Sequence, residues 1–463
     1  MKNRYLDLIN QTFDFPQKHF EVKKGELYYH QIRVMDLIKK HGTPLKITYL
    51  PKIGEQINKA KAWFENARQK CGYKGSYTYC YCTKSSHFSF VVEEALKHEI
   101  HLETSSAYDI NIVKKLEEKG AIDKTKYIIA NGYKRPQYTE QISNLINQGF
   151  SNTIPILDNM MELNTYKRLV NGKCKLGIRI AAEEEPTFDF YTSRLGIRYN
   201  AIIDFYREQI QTDERFELKM LHFFINTGIK DSQYYWNELR KCVNTYCDLK
   251  VYAPHLDSLN IGGGLPIPNS LAFEYDYQYM IDEIMIQIKT QCNERGVEEP
   301  NIFTEFGSFT VGESGATFYS IIDQKMQNDR EYWNLIDSSF ITTLPDTWGI
   351  STRFIMLPIN NWNKEYERVN LGGLTCDSMD YYNEDIHVNQ IFLPKYKSPG
   401  DQIIGFFHTG AYQESVGGYG GLQHCLIPAP QHVIIDKNPE GKISSRVFNK
   451  EQTAESMLTI LGY

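Results

Sequence analysis

Three groups of residues at the ends of β-rich segments could form a site for chemistry. The segment YTYCYCTKSSH (residues 77–87) alternates tyrosine with threonine and cysteine, as a buried strand would, and then reaches Lys84. Glu305 lies at the end of NIFTEF, and Gly262–Gly264 follow LDSLNI. A lysine amine, a carboxylate and successive glycine N–H groups offer a nucleophile, a proton partner and a phosphate cradle.

The sequence leaves two interpretations of Lys84 open. At a partly apolar rim the charged ammonium loses hydration, which favours a nucleophilic amine able to form a Schiff base with a carbonyl. Alternatively, the lysine reaches solvent or pairs with Glu103 or Glu305.

The rest of the chain supplies a regular framework for these residues. From about residue 75, eight short β-rich runs alternate with amphipathic stretches such as FSFVVEEALKHE and AYDINIVKKLEEKG. The runs are SYTYCYCTK, EIHLET, KYIIAN, TIPILD, KLGIRI, LKMLHFF, LDSLNIGGG and NIFTEF. Eight consecutive β-α units predict an α/β fold with a (β/α)8 or TIM barrel.

Functional groups of such barrels lie where the strands end. The ends of the eight runs carry Lys84, Glu103, Asn131, Asp158, Arg179, Phe224, Gly262–Gly264 and Glu305. Barrels commonly hold phosphate after strands seven and eight, so the glycine triplet indicates phosphate binding, although glycines also serve tight turns. A phosphate and an imine on one ligand indicate pyridoxal 5'-phosphate, whose ring nitrogen Glu305 would keep protonated.

The two flanks of the barrel have a different pattern. Residues after about 320 carry alternating, turn-rich stretches such as STRFIMLPI, QIIGFFHTG and HVIID, and short strand-like runs also precede the barrel. They predict a mostly β C-terminal domain that the N-terminal segment completes. We expect residues 1–44 to join that β domain, residues 45–320 to form the cofactor-binding barrel, and residues 321–463 to form the β domain.

The composition excludes several classes of protein. The chain has 463 residues, 41% hydrophobic residues and a net charge of −6, without the basic footprint of a protein that binds nucleic acid or an anionic membrane. No apolar run approaches the ~20 residues that span a bilayer, and the N-terminal MKNRYLDLINQTF lacks the apolar core of a signal peptide. We expect a cytoplasmic protein.

The cysteines and histidines do not predict a metal site. Nine cysteines and twelve histidines are scattered without CxxC, HExxH or HxH patterns, which also favours a reducing compartment over a disulfide framework. We expect His222, His408 and His424 to be packed or surface residues rather than ligands. The run Glu183–Glu185 is expected to be a solvated loop.

The C-terminal stretch GGLTCDSMD sets Cys376 and Asp377 side by side, with Asp380 nearby. A thiol can donate a proton to a carbanion, and a carboxylate can bind the cationic end of a substrate. A buried cysteine in a turn is the alternative interpretation of the same residues.

Taken together, these motifs resemble the alanine-racemase-type (fold type III) pyridoxal-phosphate enzymes, and within them the basic amino-acid decarboxylases. The matching stretches run from about residue 20 to about 430 and include YCTKSS, HLETSSAYDI, IIANGYK, LGIRIAAEEE, LNIGGGLP, TEFGS, LPDTWGI, LTCDSMD and GAYQE. NGYK, LPDTWGI and GAYQE favour the arginine branch, that of biosynthetic arginine decarboxylase, over the ornithine branch.

The resemblance implies a role for each matching residue. Lys84 resembles the Schiff-base lysine, Glu305 the partner of the pyridine nitrogen, Cys376 the proton donor to Cα after loss of CO2, and Asp377, with Asp380, the substrate-binding carboxylates. The implied cofactor-binding residues are Lys84, Glu103, Asn131, Arg179, Phe224, Thr227, Gly262, Gly263, Gly264, Glu305 and Tyr412. In this family the Cys-Asp pair comes from the neighbouring subunit, so a homodimer or a higher homo-oligomer is implied.

The sequence departs from the pattern of the family in three respects. Phe224 stands where a histidine usually stacks on the cofactor ring, and it can stack but offers no hydrogen bond. His222, two residues earlier, should share its strand face one pleat deeper. Asn226 and Thr227 replace a Gly-Ser pair, with the Thr227 hydroxyl in place of serine, and Ser308 replaces an arginine.

Three functional hypotheses remain open at this point. The first is decarboxylation of L-arginine to agmatine and CO2, a step of polyamine and spermidine biosynthesis. The second is a sister decarboxylase of ornithine, lysine, diaminopimelate or a carboxylated polyamine. The third is a catalytically weakened homologue with a regulatory role; Phe224 and Ser308 favour it, whereas Lys84, Glu305 and Cys376 oppose it.

Overall fold

The computed structural model describes residues 19–182, 193–329, 331–382 and 391–463. The run Glu183–Glu185 lies outside these residues. The chain divides into two compact units. The barrel unit comprises Ile53–Pro266 and Tyr275–Thr310, and the β unit comprises Met1–Lys52, Ile267–Glu274 and Val311–Tyr463.

The first twelve strands of the described chain divide between the two units. In chain order they are β1 (Phe20–Lys23), β2 (Glu26–Tyr29), β3 (Ile32–Arg33), β4 (Leu45–Tyr49), β5 (Tyr77–Cys82), β6 (His101–Thr104), β7 (Ile128–Ala130), β8 (Thr153–Leu157), β9 (Cys174–Arg179), β10 (Phe216–His222), β11 (Ser258–Asn260) and β12 (Asn301–Phe306). Strands β5–β12 form a closed barrel in the order β10-β11-β12-β5-β6-β7-β8-β9. All eight neighbouring pairs are parallel. The predicted TIM barrel is confirmed, and each of the eight predicted runs overlaps one of its strands.

Helices connect the barrel strands, as parallel strands require. The connecting helices span Ser89–Leu96, Ala107–Glu118, Pro136–Asn147, Glu162–Leu169, Ile202–Phe205, Gln233–Lys250 and Tyr277–Glu294. Pro51–Cys71 precedes the first barrel strand in the chain, and Ser308–Val311 follows the last one. Ser106 caps the helix Ala107–Glu118 through a capping box with Asp109, which fixes where the chain leaves β6. None of the described helices is long and apolar enough to cross a lipid bilayer.

The strands of the barrel are buried on both faces, as expected when helices surround a parallel sheet. Residues of β7 and β8 are all buried. A cluster of inward side chains fills the barrel, namely Cys80, Ile129, Ile154, Ile156, Met220 and Phe303. The barrel is therefore a packed core, and polar chemistry is confined to its rim.

The β unit is built around one sheet of nine strands. The remaining strands are β13 (Gly315–Asn328), β14 (Glu331–Ile336), β15 (Ile355–Pro358), β16 (Tyr366–Arg368), β17 (Asn370–Gly372), β18 (Tyr381–Tyr382), β19 (Phe392–Pro394), β20 (Ile403–Phe407), β21 (Gln431–Lys437) and β22 (Ile443–Asn449). The sheet runs β18-β17-β14-β13-β4-β21-β22, with β20 pairing β13 and β15 pairing β20. The long strand β13 is antiparallel to β14, β20 and β4.

Smaller elements complete the β unit. Strands β1–β3 form a three-stranded sheet, and β16 pairs with β19. Its helices span Val34–His41, Phe340–Thr343, Pro345–Gly349, Gln413–Gly417 and Ala454–Leu461. Phe20, Leu27 and Tyr29 pack into one core cluster with β4, β15 and β20 residues, so the N-terminal segment, from residue 19 onward, completes the mostly β domain. Residues 1–18 of that segment lie outside the described residues.

The limits of the compact units differ from the predicted domain limits of 44/45 and 320/321. The barrel unit begins after Lys52 and ends at Thr310. The difference arises because β4 pairs with β13 and β21, and because β13 starts at Gly315. In the chain, β4 directly precedes the helix Pro51–Cys71, and β13 closely follows the helix Ser308–Val311. Only their pairing with other strands assigns them to the β unit.

Candidate functional site

Barrel closure brings the ends of separate strands to one rim. Cys82 of β5 pairs with Glu103 of β6, and His222 of β10 pairs with both Arg179 and Asn260. Lys84 follows directly after β5, in the 3-10 turn Thr83–Ser85. The register therefore gathers the predicted lysine and carboxylate at the carboxyl end of the barrel.

Lys84 and Glu103 form an ion pair at this rim. The Lys84 Nζ donates to both oxygens of Glu103, at 3.0 and 2.9 Å. The Glu103 side chain is fully buried, whereas that of Lys84 is 41% exposed. Burial raises the pKa of Glu103, and Lys84 opposes that shift. The amine is thus fixed in direction by a buried carboxylate while it remains accessible to a ligand.

Glu305 is the centre of a second, fully buried hydrogen-bond network. Asn131 Nδ2 lies 2.8 Å from each Glu305 oxygen, and Asn260 Nδ2 lies 2.6 Å from Oε1. His222 Nε2 lies 3.1 Å from Oε2. Three side chains from β10, β11 and the end of β7 therefore converge on one carboxylate.

This network keeps Glu305 charged. Burial alone raises the pKa of Glu305, but His222, Lys84 and Asn260 outweigh it and hold the pKa below its ordinary value. A buried, ionised carboxylate can bind a cationic N–H group of a ligand and keep it protonated. Glu305 has the properties that a partner of a pyridinium nitrogen needs.

Cys82 lies between the two carboxylate sites. Its Sγ donates to the Glu305 backbone oxygen at 3.1 Å, and Lys84 Nζ donates to Sγ at 3.7 Å. Burial raises the pKa of the Cys82 thiol, so the sulfur stays protonated and neutral. It supports Lys84 without adding a charge.

Asn131 owes its position to a buried ion pair. Lys134 Nζ donates to the backbone oxygens of Gly132 and Ile156, at 2.9 and 2.5 Å, and lies 3.2 Å from Glu162. These contacts close the turn after β7 with an ammonium group that is entirely shielded from solvent. The stretch NGYK, one of those that favour the arginine branch, therefore holds Asn131, a hydrogen-bond partner of Glu305, in place.

The glycine triplet forms a crowded backbone cradle after β11. A Cβ atom on Gly262 would lie 2.7 Å from the Phe223 oxygen, and one on Gly263 would lie 2.4 Å from the Glu305 oxygen. Gly264 has a φ of +98° and packs against Gly228, whose own φ is +75°. Only glycines fit where two loop backbones approach so closely.

Several buried polar atoms of the rim have no protein partner among the described residues. They are Asn131 Oδ1, His222 Nδ1 and Thr227 Oγ1. Unpaired buried polar atoms are uncommon and indicate that a ligand or water completes the site. The donor set, one accessible amine, one charged buried carboxylate, the glycine backbone and the Thr227 hydroxyl, fits pyridoxal 5'-phosphate.

The predicted end of the sixth barrel strand needs correction. β10 ends at His222 rather than at Phe224, because His222 forms the last pairs with the neighbouring strands, with Asn260 and Arg179. The Phe224 ring is 38% exposed, and the Arg179 guanidinium carbon lies 5.9 Å from its centre. Phe224 and Arg179 are therefore neighbours at the rim, and a cofactor contact of either stays a prediction.

In the β unit, the Cys-Asp loop presents its two predicted residues to solvent. Cys376 and Asp377 are exposed, and Asp377 Oδ1 accepts a hydrogen bond from Met379 N at 2.8 Å. The Cys376 Sγ lies 3.5 Å from Cys425 Sγ, and this contact raises the pKa of the Cys376 thiol. The thiol is therefore protonated at neutral pH, as a proton donor must be. The buried-cysteine alternative is wrong for Cys376.

Asp380 has a different environment from Asp377. It is buried, and its oxygens accept from Phe340 N at 2.8 Å, Thr375 N at 3.1 Å and Thr375 Oγ1 at 2.7 Å. A carboxylate engaged in this way holds the loop in shape, whereas the predicted substrate contact would need its oxygens to face a ligand. Asp380 is better described as the residue that positions Cys376 and Asp377.

Tyr412 also lies in the β unit, in an unusual backbone conformation. Its φ is +66°, which costs energy for a bulky residue and is commonly kept at functional sites. The next residue, Gln413, donates to Asp346 Oδ2 at 2.8 Å, and Glu414 forms a buried ion pair with Lys46. A hydrogen bond thus links the stretches GAYQE and LPDTWGI, and it holds the residue next to Tyr412 in place.

Two residues of the rim were missed from the sequence. Asn260 was not considered, and His222 was expected to be a packed or surface residue, yet both bind Glu305. A signal was present, since each is a polar residue inside an otherwise buried apolar strand, where polar side chains are uncommon. Asn260 also precedes the glycine triplet.

Known proteins resemble this chain in sequence and in fold. The family described as "Pyridoxal-dependent decarboxylase, pyridoxal binding domain" matches residues 55–312, more than half of the chain. The biosynthetic arginine decarboxylase of Marinobacter nauticus is 21% identical over 505 residues, which cover 81% of this chain and 77% of that protein. The structure of the biosynthetic arginine decarboxylase from Campylobacter jejuni superposes with a TM-score of 0.80 at 19% identity, covering 97% of this chain and 90% of that one. Diaminopimelate decarboxylase from M. jannaschii, in complex with L-lysine, superposes with a TM-score of 0.78 at 18% identity, covering 94% and 96%.

Proposed function

We propose that this chain, which belongs to the pyridoxal-dependent decarboxylase family, removes the α-carboxyl group of L-arginine and releases agmatine and CO2. The observation that carries the proposal is the buried, charged Glu305 beside the accessible Lys84 amine. The arginine preference rests on the relatives named arginine decarboxylases and on NGYK, LPDTWGI and GAYQE.

The chemistry that pyridoxal phosphate supplies when bound is an electron sink for the bond that loses CO2. Lys84 is the residue that would hold the carbonyl carbon of the cofactor through its amine. Glu103 orients the Lys84 amine through its two hydrogen bonds. Because Glu103 is buried, its charge acts on the amine with little screening by water.

Glu305 is proposed to hold a proton at the pyridine nitrogen. Asn131, Asn260 and His222 fix the carboxylate from three sides, so it does not need to reorganise when charge develops nearby. The Gly262–Gly264 backbone and the Thr227 hydroxyl are proposed to bind the phosphate, with Tyr412 as a further phosphate contact.

Cys376 and Asp377 are proposed to act on the substrate from a neighbouring subunit. The exposed, protonated Cys376 thiol would deliver a proton to Cα, and the exposed Asp377 carboxylate would bind the guanidinium group. Leu374 and Met379, which flank them, are 45% and 44% exposed. Apolar side chains exposed on such a loop support coverage by a second copy of the chain, and hence a homodimer at minimum.

Two alternatives keep a specific observation in their favour. Decarboxylation of diaminopimelate, lysine, ornithine or a carboxylated polyamine is supported by the fold shared with diaminopimelate decarboxylase. A regulatory homologue is supported by the exposed Phe224 and by Ser308.

A cytoplasmic location is also proposed, because the nine cysteines are scattered along the sequence.

The test is CO2 release from arginine, ornithine, lysine and diaminopimelate by the protein loaded with pyridoxal phosphate. We expect arginine to be preferred, and Asp377→Asn to raise KM for arginine far more than it lowers kcat. Cys376→Ala should lower kcat by about 10²–10⁴-fold, the usual range for a positioned acid or base. A colourless protein that stays unchanged on addition of pyridoxal phosphate would contradict the enzymatic proposal, and preference for another amino acid would contradict the arginine assignment.

A further inference from the structure

We propose that Cys376, His424 and Cys425 form a binding site for a thiophilic divalent cation of the Zn²⁺ class. The ligand atoms of the three residues all lie within 4.8 Å of one another. The three side chains are exposed in the single chain. Two sulfurs and one imidazole nitrogen match the common Cys2His part of a zinc site, with one position left for water or another ligand.

The spacing of the sulfurs suits a metal ion better than a disulfide. Cys376 Sγ and Cys425 Sγ are 3.5 Å apart, whereas a disulfide needs about 2.05 Å. Two thiolates bound to one tetrahedral Zn²⁺ at about 2.3 Å lie about 3.8 Å from each other. The pair therefore requires a shift of only a few tenths of an ångström to receive the cation.

Both loops that carry the ligands are already fixed by other residues. Asp380 holds the Cys376 loop through Thr375 and Phe340. On the other side, Cys425 adopts a left-handed φ of 54° within the turn His424–Leu426. Non-glycine residues rarely keep such a conformation unless the surrounding structure demands it, and here it brings a cysteine and a histidine next to Cys376.

No sequence motif predicts this site. Cys376 and Cys425 are 49 residues apart in the chain, so neither belongs to a CxxC or HxH pattern. Only the fold of the β unit brings them together.

Binding of the metal ion would release protons from the thiol ligands. Each thiol that ligates Zn²⁺ loses its proton to solvent, so two protons are released as two Zn–S bonds form. Thiolate and imidazole ligands favour Zn²⁺, Co²⁺ and Cd²⁺ over Mg²⁺. If the proposed function holds, capture of the Cys376 sulfur removes the proton that it would donate and lowers turnover reversibly.

The test is titration of the metal-free protein, in a phosphine reductant, with Co²⁺ and then Zn²⁺. We expect one Co²⁺ per chain with a thiolate-to-cobalt absorption band that Zn²⁺ displaces and Mg²⁺ does not. Cys425→Ser and His424→Asn should each weaken Zn²⁺ binding by more than about 100-fold, because even partners outside the ligand shell change metal affinity by 10–100-fold. Cys71→Ser, a change at a partly exposed cysteine of the barrel unit, should leave binding unaltered.

The result that would overturn the proposal is the absence of the thiolate band, or Zn²⁺ affinity that is the same in Cys425→Ser, in His424→Asn and in the unmodified protein. A Cys376–Cys425 disulfide that persists in the reductant would also overturn it. The cobalt band needs neither cofactor nor substrate, so it reports on the site even if the chain does not decarboxylate arginine. Where turnover is measurable, Zn²⁺ should inhibit the unmodified protein, a chelator should restore it, and Cys425→Ser should be resistant.

Discussion

Replacing Glu305 with glutamine removes one negative charge from the centre of the rim without changing its volume. In the unmodified protein the carboxylate accepts from Asn131, Asn260 and His222 at 2.6 to 3.1 Å. Glutamine keeps one acceptor oxygen, but its NH2 group must face at least one of these donors. We expect a loss of about 2–4 kcal/mol in the free energy of unfolding, since hydrogen bonds to a buried charge contribute about 1.5–3 kcal/mol each.

The effect of this change on catalysis should exceed its effect on binding. Lys84 and the glycine cradle remain, so the cofactor should still bind and colour the protein. Without the carboxylate, the pyridine nitrogen loses its proton partner, and kcat should fall by about 10²–10³-fold, the range for removal of one preorganised electrostatic contact. The assay combines initial rates of CO2 release from arginine, the absorbance of the bound cofactor, and thermal unfolding.

Glu313→Gln is the matched control for this substitution. Glu313 is also a buried carboxylate with an ionic partner, Lys52 at 3.1 Å, but it belongs to the β unit and not to the rim. It should lose stability without the selective loss of kcat. An unchanged kcat in Glu305→Gln, or an equal loss in Glu313→Gln, would refute the assignment of Glu305.

Three further predictions follow from the ionisation and hydrogen bonds of single residues. Lys84→Met should abolish the Schiff-base absorbance and leave Glu103 buried without its cation. The pKa of Glu103, already raised by burial, should then rise further. A carboxyl group whose pKa is higher in the folded than in the unfolded protein loses stabilisation as the pH rises, so the cofactor-free variant should lose unfolding free energy relative to the unmodified protein as the pH rises above the ordinary pKa of a glutamate; parallel pH curves would contradict this. Asp380→Asn should lower stability by about 0.5–2 kcal/mol, as loss of a capping carboxylate does, and should lower kcat through the displaced Cys376; unchanged thermal unfolding would show that its hydrogen bonds are unimportant. Burial raises the pKa of Asp337 to about 6, so the unmodified protein should lose stability relative to Asp337→Asn as the pH rises through about 6, which unfolding curves at several pH values can check.

The barrel strands could be predicted from the sequence because each of them has a local sequence pattern. Each run is short, apolar and followed by a helical stretch, and the closure of eight such units is a general property of parallel sheets. Lys84, Glu103 and Asn131 could be assigned to the rim for the same reason. The end of β10 was misread because Phe223 and Phe224 continue the apolar run past His222, and only the strand pairing, whose last pairs join His222 to Asn260 and Arg179, shows where the strand stops.

The compact units illustrate a second limit of local patterns. β4 reads as a strand next to a barrel helix, yet its partners are β13 and β21, which lie far along the chain. Strand propensity says that a segment is extended, but it does not say which edge the segment will pair with.

By itself, the sequence determined the barrel, the positions of Lys84, Glu103 and Glu305 at its rim, and the resemblance to pyridoxal-phosphate decarboxylases. The tertiary structure alone decided which of those residues interact. It pairs Lys84 with Glu103 rather than with Glu305, gives Glu305 the partners Asn131 and His222 from 174 and 83 residues away, and brings Cys425 to Cys376. The physical reason is that side-chain identity and strand periodicity are local properties, whereas contacts across a closed barrel or between distant loops depend on the register and packing of the whole fold.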